Sequence, residues 1–325
     1  MKETMKWIFS FLLFVIVAYP FVATPVQAGS GFYISSELGA NFASGVDHFG
    51  HDDDRASKCD EYINPYFMEV PGCTDPDRSG DASKTVFDRA EGVLAGAAVG
   101  YRLRDAYPDR LWNGFRFEVE YFFRESKYDQ ATTSVATRAQ TIAKRRGEVT
   151  LAEKRLGSIT SHNLFGNLFF DFTNTSRFTP YVGFGVGVGF TDLDWGSITA
   201  RNANPDEITS VPDDLCASVS DPACDAGRIR RNLAGTATSE RAVLNDALFG
   251  YQVLFGVDYA LTESTSLGVK GRWTRFNTFR DSDTWDRLRS HESNLRRDGS
   301  EPVTYRFKTD DIEFFGVSLN LKYHF

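Results

Sequence analysis

Charged residues recur at every second position inside otherwise apolar runs of this chain. Arg116, Glu118, Glu120 and Arg124 do so in "FRFEVEYFFRES", Lys270 and Arg272 in "LGVKGRW", and Lys322 and His324 in "SLNLKYHF". Carboxylates and cations at this spacing can pair with one another, relay protons or line a water-filled path. The run "HFGHDDD" (His48–Asp54) carries residue types that could hold a cation. Adjacent carboxylates are more often a solvated loop, so no metal ligand is assigned there. Ser161 and His162 are a nucleophile and a base by type. Neighbours in a strand point to opposite faces, however, so they cannot serve one another. His291 and Asp286 lie in a separate segment, and no catalytic set, cofactor-binding residue or enzymatic activity is assigned.

The glycines of "YVGFGVGVGF" could suggest a phosphate-cradling loop, but no helix start or Lys-Ser/Thr pair follows. The basic cluster Arg138, Lys144, Arg145, Arg146, Lys154 and Arg155 could meet lipopolysaccharide phosphates or another acidic ligand. The stretch "ATRAQTIAKRRGEVTLAEKRL" that holds it reads equally as a helix or as strand extensions. Four cysteines form two close sets, Cys59 with Cys73 and Cys216 with Cys224, in polar, Pro- and Asp-containing stretches. Three pairings are open to four cysteines, and export favours structural disulfides; local pairing is preferred.

Export is read from the beginning of the chain. Two lysines in Met1–Lys6 precede the apolar run Trp7–Tyr19, and "VQA" ends at Ala28, which is the layout of a cleaved secretory signal. Residues 1–28 are therefore read as a signal peptide and 29–325 as one folded domain. The chain has 28 Phe, 13 Tyr and 27 Gly, with a mean hydropathy of −0.32. No later run is long and apolar enough for a membrane helix. The net charge of −8 gives no electrostatic footprint for nucleic acid.

Period-two alternation supplies the elements that position the charges. Eight such segments stand out: 31–42, 92–103, 115–126, 163–172, 178–190, 249–261, 267–273 and 314–325. The short connections are Arg104–Gly114, Thr173–Arg177 and Thr262–Thr265; the long ones are Ala43–Ala90, Gln130–Gly157, Gly196–Asp246 and Asp281–Arg306. An even strand count with alternating short and long connections predicts an all-β fold: an eight-stranded antiparallel up-and-down transmembrane β-barrel with long extracellular loops. Strands one and eight pair and remove the sheet edges.

Charge sets the register, because an Arg or Lys at mid-bilayer costs about 2–4 kcal/mol on the lipid face. The charged faces must turn inward. Glu37, Glu118, Glu120, Asp171 and Asp258 then meet Arg102, Arg116, Lys270, Arg272 and Lys322 in a narrow lumen. They are read as an ion-pair network that fills it.

The runs "RFTPYVGFGVGVGF", "FGVDYALTESTSLGVKGRW" and "SLNLKYHF" resemble the opacity-protein and surface-antigen family, small outer-membrane barrels related to the transmembrane domain of outer membrane protein A. The resemblance covers the strands but not the four long connections. It implies eight antiparallel strands and a role in membrane integrity or in contact with host or environment. It also implies that Leu321, Tyr323 and Phe325 form a tag for the barrel-assembly machinery. The chain is read as a monomer among outer-membrane lipids and lipopolysaccharide. The function read from the sequence is that of a surface antigen, adhesin or envelope-integrity protein of the cell outer membrane. A small-solute or ion pore is the alternative, and an outer-membrane lipid hydrolase or protease stands behind it.

Overall fold

The computed structural model describes residues 31–52, 80–103, 114–133, 135, 146–172, 174–209, 211, 213–218, 225–287, 301–310 and 312–325. The segment read as a signal peptide, Cys59, Cys73, Cys224 and His291 lie outside the described residues. In chain order the strands are β1 (Phe32–Ala43), β2 (Val46–Asp52), β3 (Gly80–Phe87), β4 (Ala90–Arg102), β5 (Phe115–Thr133), β6 (Val149–Asp171), β7 (Phe178–Arg201), β8 (Ala237–Ala260), β9 (Thr265–Phe276), β10 (Phe279–Arg287), β11 (Glu301–Asp310) and β12 (Glu313–His324). A short helix, α1 (Ala226–Leu233), lies between β7 and β8.

Eight of the strands close a barrel in the order β1-β12-β9-β8-β7-β6-β5-β4. Closure is antiparallel between β1 and β12, from Tyr33 opposite His324 to Ala43 opposite Phe314. Each strand obeys the period of two. Along β1, Leu38 and Phe42 face out, while Tyr33, Glu37 and Asn41 are buried inside. The outer wall is an apolar stripe on every strand, including Val99, Val119, Leu168, Phe184, Val253, Val269 and Leu319. Phe32 and Phe42 end that stripe on β1. At ~3.3 Å per residue and a tilt of about 40°, it stands about 25 Å tall, which matches a bilayer's apolar band. No helix among the described residues is long and apolar enough to cross a membrane; the strands do so.

Inward glycines make room for long side chains from neighbouring strands. A Cβ at Gly100 would lie 2.1 Å from the Tyr33 ring, and one at Gly185 would lie 2.0 Å from Asn167 Oδ1.

The long connections are shorter than the sequence suggested. β6, β7 and β8 run 23, 24 and 24 residues, about twice the ~9–11 needed to cross a bilayer. The stretch left open between helix and strand is strand from Val149 onward. β2, β3, β10 and β11 form a four-stranded sheet in the order β10-β11-β2-β3. Each continues a barrel strand after two residues: Ser44–Gly45, Asp88–Arg89, Asn277–Thr278 and 311–312.

This sheet therefore stands above β9, β12, β1 and β4 in their own order, facing the upper halves of β5 to β8. Side chains help to close its two seams. Asp281 Oδ2 accepts from the Asn245 N–H (2.7 Å) and Asp246 Oδ2 from the Arg280 N–H (2.9 Å), joining β8 to β10. On the other side Lys84 and Val135 exchange backbone hydrogen bonds of 2.9 and 2.8 Å. Gln130 Oε1 accepts from the Asp88 N–H (2.7 Å). The barrel thus has a membrane tier and an outer tier on one continuous wall.

Val119→Arg places a cation at the middle of the outward stripe. It should lower folding stability in lipid vesicles by about 2–4 kcal/mol, measured by urea titration. Glu118→Gln tests the opposite, inward face of the same strand in the same assay.

Candidate functional site

The lumen is the site with the densest chemistry, and it is built in layers along the inward faces. Near the short-turn end, Lys322 Nζ donates to Asp258 Oδ2 at 2.5 Å. Arg116 lies 3.3 Å from Asp171 and 3.6 Å from Asp258. The Arg116 guanidinium also sits 4.3 Å from the Phe169 ring centroid and 4.8 Å from that of Tyr181. Arg102 lies half-buried at the same rim, where its backbone N–H donates to the Gly31 carbonyl.

One layer higher, Glu120 is the hub. Lys270 Nζ lies 2.7 Å from its Oε1 and Arg272 Nη2 lies 2.8 Å from the same oxygen. Asn167 Nδ2 (2.9 Å) and Gln252 Nε2 (3.1 Å) donate to Oε2. Glu37 pairs with Lys270 at 2.9 Å and with Arg272. The Tyr33 hydroxyl donates to Glu118 at 2.7 Å. Glu37, Glu118, Glu120, Lys270 and Arg272 are all buried. The structure thus brings inward charges together from seven strands. Both oxygens of Glu37, Glu118 and Glu120 are engaged by cations, amides or hydroxyls, whereas Asp171 Oδ1 and Asp258 Oδ1 accept no hydrogen bond among the described residues. Within these pairs each charge is compensated close to where it lies.

Above the charges the lumen turns apolar. Leu94, Phe122, Phe165, Leu248, Phe276 and Phe314 are buried there within one continuous core cluster. The same cluster rises through Ile159, Leu193 and Leu244 to Trp195, Tyr305 and Phe307 in the outer tier. There His48, expected on a solvated loop, is fully buried in β2 instead. Its ring stacks 4.0 Å from Phe307 and its Nε2 lies 2.7 Å from the Tyr305 hydroxyl. Lys154, expected in an exposed basic cluster, is buried as well. It lies 4.7 Å from the Trp195 ring and 4.8 Å from the Tyr305 ring, and donates to Ser197 Oγ at 3.1 Å. Burial pushes the His48 imidazole down to about 3, and the Lys154 charge acts in the same direction.

The remaining sequence readings fall as follows. Ser161 is buried inside the barrel while His162 is on the outer wall, where its Nδ1 lies 2.7 Å from the Tyr121 hydroxyl. Leu321 and Tyr323 are exposed on the outer wall, and Phe325 packs edge-on against Tyr323 at 5.2 Å. Cys216 is disulfide-bonded and lies beside a small core of Ile208, Val211, Ile229 and Leu233. Sequence reading missed the Trp195–His48–Tyr305 stack. Its signal was present as alternation in "TYRFKT", where Tyr305 and Phe307 alternate with Arg306 and Lys308, but the run is short and flanked by charge.

Fold and lumen together define an eight-stranded transmembrane β-barrel of the outer-membrane type, with its interior filled. No family model matches the chain, and no curated protein matches it. Solved structures similar to it include Neisserial surface protein A, at 11% identity over 91% of this chain and 98% of that one, with a TM-score of 0.36. The outer membrane protein OprG from Pseudomonas aeruginosa shows 11% identity over 93% and 100%, with a TM-score of 0.38. The outer membrane protease OmpT from Escherichia coli shows 9% identity over 93% and 99%, with a TM-score of 0.34. At these scores the likenesses carry no argument about role, and the architecture stands on the chain's own strand order.

Glu120→Ala leaves Lys270 and Arg272 with Glu37 and, 3.9 Å from Lys270, Glu118, and should destabilise the barrel by roughly 3–5 kcal/mol in urea unfolding. A pH titration tests the outer tier. The folded imidazole of His48 titrates near 3, against about 6.5 in an unfolded chain. Unfolding therefore takes up a proton between those values. Outer-tier stability should fall by about 1.4 kcal/mol per pH unit as the pH drops from about 6.5 towards 3. Trp195 fluorescence reports it, and His48→Phe should flatten the dependence.

Proposed function

We propose that this chain is a surface protein of the cell outer membrane that anchors and displays a folded outer tier and does not conduct solutes. One observation carries the reading: the interior is packed with paired charges and then with apolar side chains from the short-turn rim to the outer tier. A pore needs a continuous wet path, and Phe122, Phe165, Phe276 and Phe314 occupy its line. The reading is non-enzymatic, in keeping with Ser161 and His162 on opposite sides of the wall.

In this reading the contacts with a host or environmental ligand, and with lipopolysaccharide, belong to the segments that join the strands above the outer tier. Exposed arginines such as Arg155 in the outer part of β6 and Arg231 on α1 suit phosphate-bearing partners. The outward Leu321, Tyr323 and Phe325 serve the barrel-assembly machinery, and Cys59–Cys73 and Cys216–Cys224 brace the outer segments.

Purified protein in planar bilayers should show no steady conductance across many insertions; regular unitary steps would favour the pore instead. Orientation is read separately in intact cells. A membrane-impermeant maleimide should label Arg155→Cys in the outer tier and leave Glu263→Cys in the short β8–β9 turn unlabelled. The reverse pattern would rule out display at the cell surface.

A further inference from the structure

The inward charges below the apolar layer match in number: Glu37, Glu118, Glu120, Asp171 and Asp258 against Arg102, Arg116, Lys270, Arg272 and Lys322. Arg124 is a further cation on the inward face of β5, one level above Phe122, and it is 0% exposed. Its Nε donates to Ser161 Oγ at 3.2 Å and its Nη1 to Ser126 Oγ at 3.0 Å. The guanidinium sits 4.5 Å from the Phe314 ring centroid. Nη2 is buried with no hydrogen-bond partner. All of these partners are neutral. A guanidinium cannot shed its proton inside a protein, so the charge stays and must be compensated.

Two hydroxyls at this level, those of Ser161 and Thr191, keep a proton to donate. The Ser126 hydroxyl is committed to Asn41 Oδ1 at 2.5 Å, so its oxygen can only receive from Arg124. Ser161 Oγ receives from both Arg124 and Asn163 Nδ2 (3.1 Å), which leaves its own proton to give. Thr191 stands directly opposite Ser161 across the β6–β7 ladder. Its buried hydroxyl also lacks a partner, as does the acceptor Asn163 Oδ1. Below lie Phe122, Phe165 and Phe314, and above lie Ile159 and Leu193, all buried. Buried apolar side chains thus bound this level on both sides.

We propose that Arg124, with the hydroxyls of Ser161 and Thr191, holds a small monovalent anion of the halide class, enclosed in the lumen as the barrel folds. Arg124 Nη2 and the two hydroxyl protons point the chemistry towards an anion, and the aromatic and aliphatic layers on both sides limit its size. Asn163 Oδ1 takes a water beside it. The anion compensates the buried charge of Arg124, and the phenyl ring of Phe314 covers one face of the guanidinium.

Protein refolded and crystallised in bromide tests this directly. The anomalous difference map should show a peak within hydrogen-bonding reach of Arg124 Nη2; water alone at that place overturns the proposal. In detergent, the melting temperature should rise by roughly 2 °C for each tenfold increase in chloride or bromide over gluconate at constant ionic strength. Arg124→Met should remove that dependence, because it removes the charge, and Arg124→Lys should keep it. A halide effect of equal size in Arg124→Met would also overturn the assignment. Should Arg124→Met fail to fold, the bromide map of the unaltered protein still decides the matter.

Discussion

The antiparallel pairing of β1 with β12 is the interaction on which the rest of this structure depends. In hydrocarbon a strand cannot leave its N–H and C=O groups unpaired, so a sheet crosses a membrane only when its first and last strands meet. The eleven paired positions from Tyr33–His324 to Ala43–Phe314 make that ring. Once the ring exists, every strand has one face in lipid and one in a narrow interior. The placement of each side chain then follows from its parity along the strand. Glu37 is inside because Leu38 is outside.

Closure also converts a solvation problem into a packing problem. Charged residues that lipid would reject are gathered in a space too narrow for bulk water, where they survive only by pairing. Glu120 does this for Lys270 and Arg272, and Asp258 for Lys322 and Arg116. Such pairs add little net stability compared with an apolar filling. They nevertheless allow strands with a charged inward face to fold in one register, since a one-residue slip would exchange lipid-facing and inward side chains. The apolar layer above them closes the lumen, and its continuity with the outer tier couples the two tiers through Phe314, Phe276 and Ile312.

The outer tier rests on an economy of topology. Four strands pass straight from membrane to outer tier, and the other four resume after two residues. One strand order serves both levels, with Asp281, Asp246 and Gln130 reinforcing the seams through side chains. The buried stack of His48, Trp195, Tyr305 and Phe307 then sits where the continued sheet meets the tall wall. A histidine there is tolerated as a neutral ring, which ties that joint to pH.

The eight membrane strands, their inward and outward faces and the identity of the lumen charges were legible in the sequence. Lipid imposes a strict period of two on residues such as Phe315, Val317, Leu319 and Leu321, and it leaves no tolerance for exceptions. The outer tier was not legible, because strands outside the bilayer may carry polar residues on the exposed face and short apolar runs on the other. "VDHFGHD" and "YRFKTD" therefore read as solvated loop, although His48, Tyr305 and Phe307 point into a core. Local pattern likewise named Lys154 and Arg124 as cations but not their surroundings. Whether a charge meets a carboxylate, an aromatic ring or a hydroxyl depends on which strand lies across the lumen, and only the closed barrel decides that.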